Sequence, residues 1–425
     1  MPPIRFIHAA DLHLDAAFSG LSRDIPADFA ERLRTATFTA FRRLLDLCER
    51  ESPDFLLLAG DVYNQEDASV SAQLALRDGF RRLESLSIPV FLVHGNHDPL
   101  ASRLRSVRWP GNVTVFGELP DAVPVFRKGE GTPLAIIHGA SHASGRETRN
   151  LAALFRRTEA CGLHVGLLHA TPGDADGVAR YAPFSQGDLK ASGMDYWALG
   201  HIHARREVYR EPLAAYPGCT QGLHINEPGE KGCLLVTAEA RPDGGYAVRT
   251  SFRPLGPAVW KTLDMDLGGA ASVDELENRL RTGLDRAAAE VWSGCKMLLV
   301  RLRLQGRTEL DGLLRKGTTC AELADRLRED GSGVPRIWIK DIDVATRPCV
   351  ERGALLERED LLGEVFRLSE AARTASGLQA LREGPLAPLF AHARAGKALE
   401  PLTDEELARL LDDAESLCLD LLEND

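Results

Sequence analysis

The amino-acid sequence predicts an α/β fold, followed by a small α+β unit and an acidic, helical C-terminus. Short and continuously apolar runs recur through the first half of the chain, and such runs are typical of buried parallel strands. Segments with the apolar period of amphipathic helices lie between several of these runs, as expected for a parallel sheet. The length of 425 residues predicts two or three domains.

The first three predicted strands span residues 4–9, 55–59 and 90–93, and each ends in polar side chains. Helices are predicted between them over 29–50 and 67–86, where apolar residues recur with helical spacing. The three strand ends carry, in chain order, Asp11 and His13, then Asp61, then Asn96, His97 and Asp98. Carboxylates and imidazoles are good ligands for first-row metal ions.

Three more strands are predicted over 134–137, 165–168 and 196–199, with a helix over 147–160. These strands end, in chain order, at His138, at His169, and at His201 and His203. One histidine at a strand end is more often a hydrogen-bonded core residue, and an aspartate after glycine is more often a turn residue. Five of the six ends nevertheless share one pattern, and the carboxyl ends of parallel strands lie where open α/β sheets bind ligands. We therefore expect one metal centre.

The ordered pattern Asp-x-His, Gly-Asp, Gly-Asn-His-Asp, His, Gly-His-x-His resembles the calcineurin-like metallophosphoesterase family. The resemblance implies a β-sandwich flanked by helices (αββα) and a site for two divalent metal ions. By this resemblance, the first ion is bound by Asp11, His13 and His203, and the second by Asn96, His169 and His201. Asp61 would bridge both ions. The resemblance also makes His97 the catalytic residue that contacts the scissile phosphate and assists the leaving group. The mixture of nitrogen and oxygen donors suits Mn²⁺, Fe²⁺ or Zn²⁺ better than Mg²⁺, and Mn²⁺ is the expected cofactor.

Within this family, the stretch from Ile7 to Leu14 is similar to the nuclease subunit of the SbcCD complex, in the DNA repair exonuclease branch. Residues 60–67, 221–227 and 230–232 look most like the bacterial YhaO-type proteins. The resemblance implies a DNA exonuclease or endonuclease that works with an SbcC-like coiled-coil ATPase. One position departs from it, because many of these nucleases carry a histidine where this chain has Asn64. The departure bears on the strength of the exonuclease activity and not on metal binding.

Three residues are predicted to contact the substrate, namely Arg103, Arg105 and His142. The arginines can bind phosphates, although a solvated helix face explains them equally well. The net charge of −11 at first argues against nucleic acid. Residues 351–425, however, hold 17 acidic and 8 basic side chains, so most of the negative charge lies at the C-terminus. The charge distribution therefore argues neither for nor against nucleic-acid binding.

We expect a metallophosphoesterase domain over 1–255, an α+β capping domain over 256–350 and an acidic partner-binding region over 351–425. Prolines and glycines over 252–257 mark the first boundary. The role of the second domain, capping the active site and orienting DNA, is assigned by resemblance alone. In the third region, leucines recur at close to heptad spacing over 407–421. This helix either packs on its own chain or docks the coiled coil of the ATPase partner.

The predicted function is thus a Mn²⁺-dependent DNA phosphodiesterase in DNA repair. Two alternatives stay open: a small-molecule phosphodiesterase or phosphatase on the same metal site, and a weakly active scaffold regulated by its partner. No apolar run of about 18 residues predicts a membrane span. With no visible secretory signal and eight cysteines that form no CxxC pair, the expected location is the cytoplasm. A homodimer is also expected, by resemblance.

Overall fold

A computed structural model gives the fold of the chain. It describes residues 2–21, 25–64, 69–101, 107–174, 179–242, 244–329, 333–349, 352–391 and 402–422. In chain order the strands are β1 Ile4–Ala9, β2 Phe55–Ala59, β3 Val90–Val93, β4 Val113–Val115, β5 Asp121–Val125, β6 Ala135–Ala140, β7 Leu163–His169, β8 Tyr196–Gly200, β9 Arg206–Arg210, β10 Leu213–Tyr216, β11 Gly232–Ala240, β12 Tyr246–Pro254, β13 Ala258–Asp266, β14 Met297–Thr308 and β15 Arg336–Pro348. The helices are α1 Ala27–Arg34, α2 Ala36–Glu51, α3 Val70–Ser85, α4 Gln186–Ser192, α5 Val273–Glu290, α6 Asp311–Leu314, α7 Thr319–Glu329, α8 Arg352–Leu356, α9 Leu361–Ala372, α10 Ala375–Glu383, α11 Ala387–Ala391 and α12 Asp404–Leu422.

Two six-stranded mixed sheets form the centre of the fold. The first has the order β12-β11-β1-β2-β3-β4, in which β1 to β4 run parallel and β11 and β12 pair antiparallel. The second has the order β5-β6-β7-β8-β10-β9, parallel in the middle and antiparallel at both edges. The predicted α/β sandwich is confirmed.

The two sheets pack face to face, and helices cover their outer faces. Phe55 and Leu57 of the first sheet belong to the same buried cluster as Val165 and Tyr196 of the second sheet. On the outer face of the first sheet, α2 and α3 pack on the alternate residues of the same strands. Each fully buried leucine or phenylalanine contributes ~1.5–3 kcal/mol. Burial of both strand faces is the reason why these strands read as continuous apolar runs.

The chain divides into two compact units, residues 1–306 with 312–346, and residues 307–311 with 347–425. The first unit includes a third, smaller sheet with the order β13-β14-β15. In the second unit, α8, α9 and α12 bury Leu355, Leu362, Phe366 and Leu419 against one another. The predicted domain limits at 255 and 350 stay predictions. Among the described residues, no helix is both long and apolar enough to span a bilayer.

The helix predicted over 29–50 is divided in two at Thr35. The Thr35 hydroxyl donates to the carbonyl oxygens of Glu31, at 3.0 Å, and Arg32, at 3.4 Å. Such bonds from a threonine side chain compete with the regular helical ladder and bend helices. The apolar period alone could not reveal this break.

The helix predicted over 147–160 is wrong. The structure has only a 3₁₀ turn there, over Ala152–Leu154. The main-chain oxygen of Glu147 accepts instead from Ala182 N at 2.8 Å, and its buried carboxylate accepts from the backbone and side chain of Arg149. The Asn150 side chain likewise accepts from Ala153 N at 3.1 Å. These bonds take up the backbone groups that a helix would need.

Packing between α2 and α3 depends on Gly79. A Cβ atom at this position would lie 2.7 Å from Phe41 Cε1 and 2.9 Å from Leu45 Cδ1. Gly79→Ala is expected to lower the free energy of unfolding by about 1–3 kcal/mol through overpacking. Urea denaturation followed by circular dichroism measures this change. The exposed helical Gly187 is the control, since Gly187→Ala there should gain about 0.5–1 kcal/mol; equal stability of the two variants would contradict the packing argument.

Candidate metal centre

The ends of β1, β2, β3, β7 and β8 bring the predicted ligands together at one edge of the sandwich. Asp11 N donates to Gly60 O at 3.1 Å and His13 N donates to Asp61 O at 3.0 Å, so the loops after β1 and β2 run side by side. Asp11, His13, Asp61 and His201 have positive φ angles of 50°, 40°, 50° and 104°. Such conformations cost ~1–3 kcal/mol each and concentrate at functional sites.

A first cluster consists of Asp11, His13 and His203, whose ligand atoms lie within 4.8 Å of one another. The Nε2 atoms of the two histidines face each other at 3.1 Å, and His203 Nε2 lies 3.8 Å from Asp11 Oδ1. Each Nδ1 faces an oxygen, Asn64 Oδ1 at 2.6 Å for His13 and Glu227 Oε1 at 2.5 Å for His203. Because those oxygens accept, both Nδ1 atoms carry the proton and both Nε2 lone pairs point at the same position. Only a proton or a metal ion makes that arrangement favourable.

A second cluster consists of Asp11, Asp61 and His169, again within 4.8 Å. His169 Nδ1 donates to Ala59 O at 2.9 Å, so Nε2 is the atom that faces Asp61 Oδ2 at 3.3 Å and Asn96 Oδ1 at 3.0 Å. Three acceptor atoms thus converge in the second cluster as well, namely His169 Nε2, Asp61 Oδ2 and Asn96 Oδ1. The chemistry and burial of this donor set fit a divalent cation.

His201 completes the set of predicted ligands. Its ring lies 5.2 Å from the ring of His169, and its Nε2 donates to Ala179 O at 3.0 Å. The hydrogen bond leaves His201 Nδ1 as the atom free to bind a metal ion. All seven predicted ligands therefore lie at this edge, although the assignment of each one to an ion stays a prediction.

The electrostatics of the clusters also suit a cation. Burial raises the pKa of Asp11 above its usual range, although His203 partly opposes this. Burial acts on Asp61 in the same direction, but the charge and hydrogen bond of His169 outweigh it and hold the pKa of Asp61 well below its usual range. For His169, burial lowers the pKa and Asp61 more than reverses this, to about 9. A cation at His169 Nε2 must therefore displace a proton, so metal affinity rises as the pH increases toward about 9.

Neither buried carboxylate has a lysine or arginine partner in the part of the chain that the structure describes. Among the described residues, the ion-pair partner of Asp11 is His203 and that of Asp61 is His169. Buried charge of one sign is costly unless it is compensated. A metal ion supplies that compensation.

A third group of ligand-type atoms, on His203, Cys219 and Glu227, does not offer an open site. His203 and Glu227 already share a hydrogen bond of 2.5 Å. Burial also raises the pKa of the Cys219 thiol, which keeps the sulfur protonated. We assign no metal to this group.

His97, the predicted catalytic residue, is exposed beside the first cluster. Its ring meets the ring of His13 edge-on with centroids 5.2 Å apart, and its backbone N–H donates to Asp61 Oδ1 at 2.9 Å. The imidazole therefore has room to contact a substrate at the metal edge.

Sequence reasoning missed the roles of three side chains near the ligands. Asp98 is fully buried and accepts from the backbone N–H groups of Asp61, Val62 and Gly95, so it shapes two ligand loops at once. Asn64 and Glu227 orient His13 and His203, as described above. The place of Asp98 beside His97 in the chain was the only available signal, whereas Asn64 and Glu227 meet their histidines through the tertiary fold.

Of the three predicted substrate contacts, His142 is corrected and two are outside the described residues. His142 is fully buried, and its Nε2 donates to His169 O at 2.6 Å. Burial lowers its pKa to about 4, so the ring is neutral. It supports the strand end that carries a ligand and does not reach solvent. Arg103 and Arg105 lie outside the residues that the structure describes.

Comparison with known proteins identifies the family. Residues 4–205 match the family model for calcineurin-like phosphoesterases, and residues 260–347 match that for the middle domain of the metallophosphoesterase YhaO. The chain is 35% identical over 392 residues to the "Uncharacterized metallophosphoesterase YhaO" of Bacillus subtilis (strain 168), which covers 90% of this chain and 91% of that protein. The chain belongs to the calcineurin-like metallophosphoesterase family.

More distant relatives of this metallophosphoesterase include the "DNA double-strand break repair protein Mre11" of Aeropyrum pernix. It is 28% identical over 320 residues, which covers 68% of this chain and 69% of that protein. Among solved structures, a dimetal phosphatase from Danio rerio aligns with a TM-score of 0.34 at 13% identity, over 59% of this chain and 99% of that chain. Membership of the family implies metal-dependent hydrolysis of a phosphoester at a dinuclear site, for which the two clusters are the candidates.

The family resemblance predicts that Asp61 bridges the two metal ions, and the structure places its carboxylate in the second cluster. If Asp61 is the predicted bridge, Asp61→Ala should reduce the metal content of the protein from about two ions per chain to near zero, because each ion would lose a ligand. Elemental analysis after dialysis against Mn²⁺ measures the content. The exposed Asp78 of α3 provides the control, and Asp78→Ala should keep both ions. Two ions retained by Asp61→Ala would rule out the bridging role.

Proposed function

We propose that this metallophosphoesterase is a Mn²⁺-dependent DNA phosphodiesterase, exonuclease or endonuclease, that acts in DNA repair with an SbcC-like ATPase. The main support is the convergence of acceptor atoms in two adjoining clusters that share Asp11, next to the exposed imidazole of His97. The DNA-directed part draws on the similarity to proteins named for DNA double-strand break repair.

Two divalent ions, when bound, supply a nucleophilic water near neutral pH and neutralise charge on the phosphodiester. The chain's own residues do the rest. Asp61 Oδ1 accepts from His97 N, Oδ2 faces His169 Nε2, and the charge of Asp61 also acts on His13 of the first cluster, so this carboxylate lies close to both clusters. His97 can then donate a proton to the departing alkoxide, since its ring is exposed and its backbone is held by Asp61.

Exposed arginines next to the ligands support a nucleic-acid substrate. Arg205 and Arg206 lie two and three residues after His203 in the chain and are both exposed. The guanidinium of Arg205 lies 4.2 Å from the ring centroid of Phe252, and that of Arg206 lies 5.6 Å from the ring centroid of Tyr216. Guanidinium groups bind phosphates with two hydrogen bonds, so these side chains can hold a DNA backbone beyond the scissile bond.

The proposal is tested with wild-type protein and His97→Ala on linear DNA and on bis-p-nitrophenyl phosphate, both with Mn²⁺. Wild type should cleave both substrates. His97→Ala should keep its metal content but lose roughly 10²–10⁴-fold in turnover, the range for a lost general acid. Cleavage of the small ester alone would favour the small-molecule alternative, or a nuclease that admits DNA only with its ATPase partner. Unchanged turnover of the variant would remove His97 from the mechanism.

The proposed ATPase partner would bind through the second unit. In α12, Leu407 and Leu419 are buried, at 1% and 3% exposure, which accounts for packing on its own chain. Leu410, Leu417 and Leu421 are 46%, 58% and 64% exposed and lie seven and four residues apart. Such spacing places them on one stripe of the helix, as in helices that dock on other helices. One face of α12 therefore packs on its own chain, and the exposed face is the one that we propose docks the ATPase.

Replacing Leu417 and Leu421 together by glutamate should abolish co-purification with an SbcC-like ATPase from the same cell. Both side chains are exposed, so the melting temperature and the hydrolysis of bis-p-nitrophenyl phosphate should stay at wild-type values. Leu419→Ala serves as the contrast, because loss of a buried leucine should cost about 2–5 kcal/mol of stability. Undiminished binding by the double variant would contradict this docking stripe. A homodimer and a cytoplasmic location stay predictions.

A further inference from the structure

Both oxygens of the Glu227 carboxylate take part in hydrogen bonds. Oε1 faces His203 Nδ1 at 2.5 Å, and Oε2 accepts from Leu223 N at 2.7 Å. The second bond fixes the carboxylate on its own loop, so the first can fix the imidazole. Glu227 touches no other predicted ligand through a hydrogen bond or ion pair within the described part of the chain.

The two histidines of the first cluster have different supports. Asn64 offers His13 Nδ1 a neutral amide oxygen, whereas Glu227 offers His203 Nδ1 an anionic one. A carboxylate behind an imidazole fixes its tautomer and increases the basicity of the opposite nitrogen more strongly than a neutral oxygen does. His203 Nε2 should therefore be the stronger ligand of the pair.

The loop that carries Glu227 is held by β13. Ile225 is buried in the cluster that contains Trp260, and Gly229 N donates to Trp260 O at 2.9 Å. The indole of Trp260 donates to Gly222 O at 3.1 Å, and the side chain of Gln221 bonds the backbone N and O of Ala258 at 3.1 and 2.9 Å. The loop is thus tied to β13 on both sides of Glu227.

We propose that Glu227 is a positioning residue for His203, and that its loop makes the first metal site depend on how β13 packs. Glu227 holds the Nδ1–H tautomer of His203, so that Nε2 is presented to the metal ion. The anchors at Ile225 and Trp260 hold Glu227 at hydrogen-bond distance. This inference rests on the metal site of the proposed function.

Two substitutions of Glu227 separate the effect of its two acceptor oxygens from the effect of its shape. Two N–H groups, from Leu223 and from His203, need two acceptor oxygens. Glutamine has one oxygen and one NH₂ group, so Glu227→Gln keeps the shape but leaves one N–H facing a donor. Glu227→Ala removes both acceptors. A role in folding alone would depend on the bond to Leu223 and would not affect the tautomer of His203.

The test measures Mn²⁺ binding to the full-length protein by calorimetry and the imidazole tautomers of the metal-free protein by ¹⁵N NMR. Glu227→Ala should lower the affinity for one of the two Mn²⁺ ions by about 10–100-fold, and Glu227→Gln should lower it by a smaller factor. In Glu227→Ala, which offers no acceptor, His203 should lose its preference for the Nδ1–H tautomer. Ile225→Ala should lower the affinity for the same ion, although Ile225 is not one of the predicted ligands. Asn226→Ala, an exposed neighbour in the loop, should bind as wild type does.

The outcomes separate this inference from the proposed function. Wild-type Mn²⁺ affinity in Glu227→Gln would overturn the positioning role, even if Glu227→Ala failed to fold. Wild-type affinity in Ile225→Ala would overturn the dependence on β13. If wild type binds two ions and the variants behave as expected, but no DNA is cut with or without an ATPase partner, the proposed function fails and the role of Glu227 stands.

Discussion

The constraint on which this structure depends is the meeting of acceptor atoms at the carboxyl ends of two different sheets. Asp11, Asp61 and Asn96 follow strands of the first sheet. In the second sheet, His169 is the last residue of β7, and His201 and His203 follow β8. Lone pairs that face one another at about 3 Å repel unless a proton or cation lies between them. The packing of the two sheets supplies the force that holds them there, and its apolar core is large enough to do so.

Close approach at this edge also requires the absence of side chains. A Cβ atom on Gly200 would lie 1.8 Å from Ala59 O, and one on Gly95 would lie 2.8 Å from His169 Cδ2. These two glycines let one sheet touch the other where the ligands are. The left-handed backbone at Asp11 and Asp61 adds strain at the same place. The stability of the sandwich therefore offsets a local cost that only the site requires.

Much of this could be predicted because the signals are local in the chain. Continuous apolar runs gave the strands, and the polar residue at the end of each run gave a ligand, since every parallel strand delivers its end to the same edge. The contacts of Asn64 and Glu227 could not be predicted, because each joins residues far apart in the sequence. The wrong helix over 147–160 has the same origin: Glu147 bonds Ala182, and no local pattern reveals that partner. His142 looked like a groove residue for want of any sequence signal of its burial.

The position of β1 determines how late during synthesis the first sheet can be completed. Its two neighbours in the sheet are β2 and β11, and Ile4 pairs with Ala238 while Phe6 pairs with Phe55. As the chain leaves the ribosome, one edge of β1 therefore stays unpaired until the residues of β11, Gly232–Ala240, emerge, which is after the last ligand, His203, has been made. An open strand edge is a site for wrong association during that interval. The nascent chain thus carries all its metal ligands before it can close the sheet that holds the first of them, so it stands to gain from a chaperone until β11 arrives.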